Sequence, residues 1–257
     1  YNNANTLGML CALAIVLQAY LWLFGRFSLS ALLSVPALLV VAASQSRKAI
    51  LMIPLGIIIL LFLKNLGNRS FFKSFFRIVL SLALFAAVLV LISRISIFRG
   101  VNERLKTMIA SFTGEGAADG SSLLRKKMRE VGFAQFLKTP IFGIGIGCSD
   151  VLLQHTINRS TYLHNNYIEL LACGGIVGTA LYYVPRLALL RDFWSSRFLR
   201  NRQAIACLTI LLLLLIMDYG AVAYSEKMQY LYLLMLFVQA DKLRESNHQT
   251  LEDGADE

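Results

Sequence analysis

The chain holds few residues suited to chemistry, and they stand at the edges of long apolar runs. His164 opens one such run and is one of three histidines, with His155 and His248. A neutral imidazole near pH 7 is a natural general base toward a hydroxyl, whereas the plain reading of a lone histidine at a helix start is a structural one. Its neighbour Asn165 can hydrogen-bond a sugar hydroxyl or cap the helix that starts there. Tyr162 can stack on a sugar ring or stand in an interfacial aromatic belt. Arg47, within Ser46-Arg47-Lys48, and Arg125, first in Arg125-Lys126-Lys127-Met128-Arg129, carry planar bidentate donors that suit a phosphate. Each also has a plain reading: Arg47 as a snorkelling anchor, Arg125 as part of a solvated basic face. Asp218 follows the leucine run Leu211–Leu215. An acid there is costly unless it faces a cavity, where it can pair with an arginine or orient His164.

The elements that must position these residues are membrane helices. The 257 residues are 57% hydrophobic and only 16% charged, with a mean hydropathy of +0.62. A soluble domain is about 45–50% apolar and about 25% charged. The net charge of +10 reads as arginines and lysines gathered in membrane-flanking loops, not as a nucleic-acid surface, since no nucleic-acid-binding motif is present. Cys11, Cys148, Cys173 and Cys207 show no metal-ligand or disulfide spacing. Gly143-Ile144-Gly145-Ile146-Gly147 lacks the Lys-Ser/Thr of a phosphate loop and reads as a flexible turn that folds back on the bundle. The chain begins at Tyr1 with no charged segment ahead of its first apolar run, so we expect a fragment lacking N-terminal helices.

Seven apolar runs are expected to span: Leu7–Phe24, Phe27–Ser46, Ala49–Leu63, Ile78–Ser93, Tyr167–Val184, Gln203–Met217 and Met228–Ala240. Several are shorter than the ~20 residues that cross a hydrocarbon core, so their flanking charges must snorkel or face the bundle interior. The fold class is therefore an all-α polytopic transmembrane helix bundle of about seven spans. Four spans fall in residues 1–97, an extracytoplasmic loop covers 98–163, and three spans fall in 164–240. A polar cytoplasmic tail at 241–257 is expected to be disordered. Orientation rests on two basic, acid-poor loops assigned to the cytoplasm. One holds Lys64, Arg69, Lys73 and Arg77; the other holds Arg186, Arg191, Arg197, Arg200 and Arg202. Arg47, Arg125, His164 and Asp218 then face outward. In the long loop, Thr113–Gly120 reads as flexible. Ser121 or Ser122 can cap a helix ending near Lys138, before Thr139-Pro140. Leu124, Met128 and Val131 make its apolar face, suited to lying on the outer membrane surface as a lid.

With these motifs in place the chain resembles the O-antigen ligase and O-antigen polymerase superfamily of bacterial membrane glycosyltransferases. The likeness is carried by Asn3–Asn5, Ser46-Arg47-Lys48, Arg125, Pro140-Ile141-Phe142-Gly143-Ile144-Gly145, and His164-Asn165 with Gly175-x-x-Gly178. It runs from about Asn3 to Ala240. The resemblance implies transfer of a glycan from undecaprenyl pyrophosphate to an acceptor hydroxyl, outside the bacterial inner membrane, without metal, nucleotide or other cofactor. It implies that Arg47 and Arg125 bind the pyrophosphate and that His164 and Asp218 are catalytic. The partners implied are the lipid-linked glycan, an acceptor glycan or lipid, and the bilayer, with no nucleic acid. A ligase and a polymerase share these motifs and differ in the acceptor. A transporter or flippase for an anionic lipid or solute is the alternative; it calls for polar groups near mid-membrane rather than at span ends.

Overall fold

The computed structural model describes residues 4–24, 29–44, 46–65, 120–195 and 201–253, and all regular elements among them are helical. The expected span Ile78–Ser93, the loop through residue 119 and most of the first basic loop lie outside the described residues. Among the described residues, two helices are long and apolar enough to cross a membrane: α1 (Ala4–Leu23) and α6 (Asn166–Phe193). The described residues fall in two compact units.

The first unit holds α1, a 3-10 turn (Leu29–Leu33), α2 (Ser34–Ala43), α3 (Arg47–Asn65) and the start of α7 (Arg202–Asp218). Within the run expected as one span at Phe27–Ser46, the described residues form the short turn and the 10-residue α2. At 1.5 Å per residue α2 reaches about 15 Å, half a hydrocarbon core. Small residues let these helices close up. A Cβ on Gly8 would stand 2.3 Å from Ser44 Oγ, and one on Gly56 2.5 Å from a Val16 methyl. Ser46 precedes α3, and its Oγ accepts from Ala49 N at 3.4 Å, the geometry of an N-cap. Arg47 is therefore the first residue of α3.

The second unit holds α4 (Gly120–Lys138), α5 (Ser149–Ile157), α6, the end of α7 and α8 (Lys227–Asp253). α4 appears where its period places it and stops at Thr139-Pro140. Its apolar face is not free for a membrane surface. Met128 joins Leu153, Leu163, Ala172 and Cys173 in a buried core, with Leu124 and Val131 packed on it. α8 runs on to Asp253, through a segment expected to be disordered. Leu243 is buried there, and Arg244 pairs with Asp192 of α6 and, at 2.7 Å, with Asp241.

α6 is not one rod. Gly175 has φ 61° and ψ −162°, a region open essentially to glycine, and the helix breaks there. A break strands carbonyls before it and N–H groups after it, and these need partners. The segment after Pro140 supplies them. Ile144 N and Gly145 N donate to Ala172 O and Cys173 O (3.1 and 2.9 Å), while Ile176 N and Val177 N donate to Pro140 O and Ile141 O (2.8 and 3.2 Å). The approach is backbone to backbone. A Cβ on Gly175 would lie 2.3 Å from Ile141 O, and one on Gly143 2.4 Å from the Cys173 carbonyl carbon.

Candidate functional site

The break brings residues on either side of Gly175 together. Asn166 heads α6 and Tyr183 lies beyond the break, yet the Asn166 amide donates to Tyr183 Oη at 3.0 Å. The rings of Tyr167 and Tyr183 stack at 4.9 Å. The same amide nitrogen reaches Asp218 Oδ2 at 3.4 Å, and Tyr183 Oη donates to that oxygen at 3.0 Å. On its other side, Asn166 Oδ1 accepts from Ala223 N (2.8 Å) and Tyr224 N (3.0 Å). Asn166 is wholly buried. It ties the head of α6, the end of α7 and the turn into α8 to one point. Asp218 closes α7 just past the apolar run 203–217. Burial pushes its carboxyl pKa up; the Tyr183 hydrogen bond, the Arg186 charge and the Asn166 amide draw it back.

His164 sits two residues ahead of Asn166, half-buried, with φ 57°. Left-handed backbone is uncommon outside glycine, although histidine tolerates it better than bulky or branched residues. Its neighbours hold it on both sides. Asn165 caps α6, its Oδ1 accepting from Ile168 N at 3.1 Å, and its amide donates to Tyr219 O at 3.1 Å, next to Asp218. On the other side, Leu163 N donates to Glu169 Oε2 at 2.8 Å, and Ser149 Oγ donates to Glu169 Oε1. The Tyr162 ring lies 4.2 Å from the imidazole, centroid to centroid.

Of the residues singled out in the sequence, Tyr162, His164, Asn165 and Asp218 fall within this one assembly. Arg125 is half-buried on α4. That helix docks beside the histidine: a Cβ on Gly132 would lie 2.6 Å from Leu163 and Ile168 methyls. Arg47 belongs to the other unit. Asn165 is buried, with both ends of its amide engaged inside the protein, so here it is a cap. Sequence reading gave no role to Glu169 or Tyr183 and placed Arg186 in a cytoplasmic loop. Arg186 is instead inside α6, 3% exposed, its guanidinium 3.5 Å above the Tyr182 ring and its charge felt at Asp218. The available signal was a charge within an otherwise apolar helix, which is costly unless it serves a site. Among the described residues no His/Cys/Asp/Glu cluster could hold a metal ion.

A broken apolar helix with its histidine, capping asparagine and buried acid gathered at one end defines a helical protein with a polar site. The family model for O-antigen ligase matches residues 29–183, more than half of the chain, and the chain belongs to that family. The match takes in Arg47, Arg125, His164 and the Gly175 break, and stops short of Arg186 and Asp218. No curated protein matches the chain. The family places the chain among membrane proteins of polysaccharide biosynthesis that act in glycan transfer.

Proposed function

We propose that this protein transfers a glycan from undecaprenyl pyrophosphate to an acceptor hydroxyl at the outer face of the bacterial inner membrane, as a ligase or a polymerase, within a bundle of about seven spans. The observation that carries the reading is the pinning of His164 from both sides, by Glu169 at Leu163 and by Asn165 at the residue after Asp218. His164 takes the proton of the attacking hydroxyl. Arg47 and Arg125 stabilise the charge that develops on the leaving pyrophosphate. Asp218 is the catalytic acid beside His164, and Tyr162 offers a ring face for sugar. Asn165 holds His164 in place.

The broken α6 would also suit a transporter, whose interrupted helices aim freed backbone groups at substrate. In this chain those groups are already taken: the N–H groups after Gly175 and the carbonyls before it bond the Pro140–Gly145 segment. Interfacial transfer is the better account. The test is transfer of purified lipid-linked glycan in liposomes, with EDTA and no nucleotide. His164→Ala should lower turnover about 10²–10⁴-fold with donor binding kept. Arg47→Ala and Arg125→Ala should weaken donor binding and turnover together, with lysine rescuing only in part. Wild-type turnover by His164→Ala removes its role, and a strict requirement for ATP or a divalent metal removes the reaction.

A further inference from the structure

Among the described residues, buried side-chain atoms without a hydrogen-bond partner are Tyr182 Oη, Arg186 Nη2, Asp218 Oδ1 and Gln229 Oε1. Three of these belong to one cluster. Arg186 lies over the Tyr182 ring at 3.5 Å, and Tyr182 packs edge-on against Tyr183 at 4.8 Å. Tyr183 in turn bonds Asp218 at 3.0 Å. Arg186 uses Nη1 on Tyr182 O at 2.5 Å, and Asp218 uses Oδ2 on Tyr183 and Asn166. Nη2 and Oδ1 are left, one only a donor and the other, as a carboxylate oxygen, only an acceptor. All three residues are at least nine-tenths buried, at 8%, 3% and 1% exposure. Leaving such atoms unpaired in an apolar helix bundle carries a heavy cost, so a partner of matching chemistry is called for.

That chemistry is selective. A carboxylate, or a phosphate without a P–OH, would satisfy Arg186 but has no proton for an ionised Asp218. An ammonium would satisfy Asp218 but cannot accept from Arg186. A hydroxyl does both at once, and Tyr182 Oη can add a third bond. We propose that Arg186, Asp218 and Tyr182 form a binding point for one hydroxyl of a sugar substrate. This rests on the glycan-transfer reading and adds to it a sugar contact outside the segment matched by the family model. The sugar belongs either to the donor glycan or to the acceptor, and kinetics tell them apart.

The experiment uses the full chain purified in detergent, with KM measured for donor and acceptor separately. Arg186→Met and Asp218→Asn should each raise KM for the same one of the two substrates about 10- to 100-fold, the range for a lost hydrogen bond to a charged group. Arg186→Lys should recover part of that loss, and Tyr182→Phe should cost less than about tenfold. The substrate affected names the source of the hydroxyl. Binding is read independently by calorimetry, using the repeat-unit oligosaccharide released from the host's own surface polysaccharide. It should bind wild type and fail to bind Arg186→Met. Thermal melts select the folded variants; where Arg186→Met does not fold, Asp218→Asn and Tyr182→Phe carry both readouts. Both KM values within twofold of wild type in folded variants, with oligosaccharide binding unchanged or absent throughout, would overturn the site and leave a trapped water as the partner. Oligosaccharide binding that depends on Arg186 in a protein showing no transfer would uphold the site and remove the transfer reading.

Discussion

Two polar clusters flank the same break in α6, and they are finished differently. At the Pro140 side the carbonyls of Ala172 and Cys173 and the N–H groups of Ile176 and Val177 all bond main chain. At the Asp218 side Asn166 is saturated, with its oxygen and nitrogen serving four partners, yet Tyr182, Arg186 and Asp218 each keep a buried atom unpaired. The first cluster is closed by the protein alone and fixes shape. The second is closed only in part, which is how a buried site differs from buried scaffolding. One glycine creates both: it makes the freed groups, and by turning the helix it delivers Tyr183 and Arg186 to Asn166 and Asp218.

If the closed cluster is architecture, breaking it should have the largest effect. Gly175→Ala puts a methyl 2.3 Å from Ile141 O in a backbone region closed to alanine. A loss above about 3 kcal/mol, seen as a collapse of the melting transition or of folded yield, is expected. An unchanged melt would mean that the break is not held as described. Next comes the hub of the second cluster. Asn166→Ala strands Ala223 N and Tyr224 N and takes the amide donor from the Tyr183–Asp218 pair, for a loss of about 2–4 kcal/mol. Transfer should fall with it, because Asp218 loses its register. A variant that melts like wild type would show that the knot is dispensable. The smallest effect sharpens the contrast. Glu169 has both oxygens partnered, so Glu169→Gln can accept from Leu163 N with its oxygen and donate to Ser149 Oγ with its amide. Stability should change by less than about 1 kcal/mol and transfer by a factor of about five at most. A deeper loss of transfer would assign the negative charge itself a task.

The elements were readable where period and punctuation agree. α4 follows from Leu124, Met128 and Val131 on one face and Pro140 beyond it. α1 follows from an apolar run without a charge. His164, Asn165 and Asp218 stood out because polar residues at the edge of apolar runs are few, and those three, with Tyr162, do belong to one assembly. The glycine turn at 143–147 was legible as a fold-back, and it does bond α6; what hid was the break that it holds. Tyr167–Val184 falls within α6, which is long enough to span, but apolar composition does not reveal the break at Gly175, where φ is 61°. Arg186 was counted as a loop charge for the same reason: linear order sets it beyond a straight helix, while the turn returns it to Asp218. The turn does fold back, with Gly143 allowing the close backbone approach to Cys173 and Gly145 N bonding Cys173 O. Glu169 went without a role because neither of its partners, Ser149 and the Leu163 amide, carries a charge that would advertise the pairing.

The left-handed backbone of His164 carries a consequence for how this position can change over time. A side chain held at φ 57° lowers the stability of the fold by about 1–2 kcal/mol relative to glycine. Selection for a sturdier protein would therefore drift this site toward glycine or asparagine, and only the need for an imidazole opposes it. Position 164 sits where robustness and catalysis pull in opposite directions, so a copy of this chain released from its task should lose the histidine early and melt higher for having lost it.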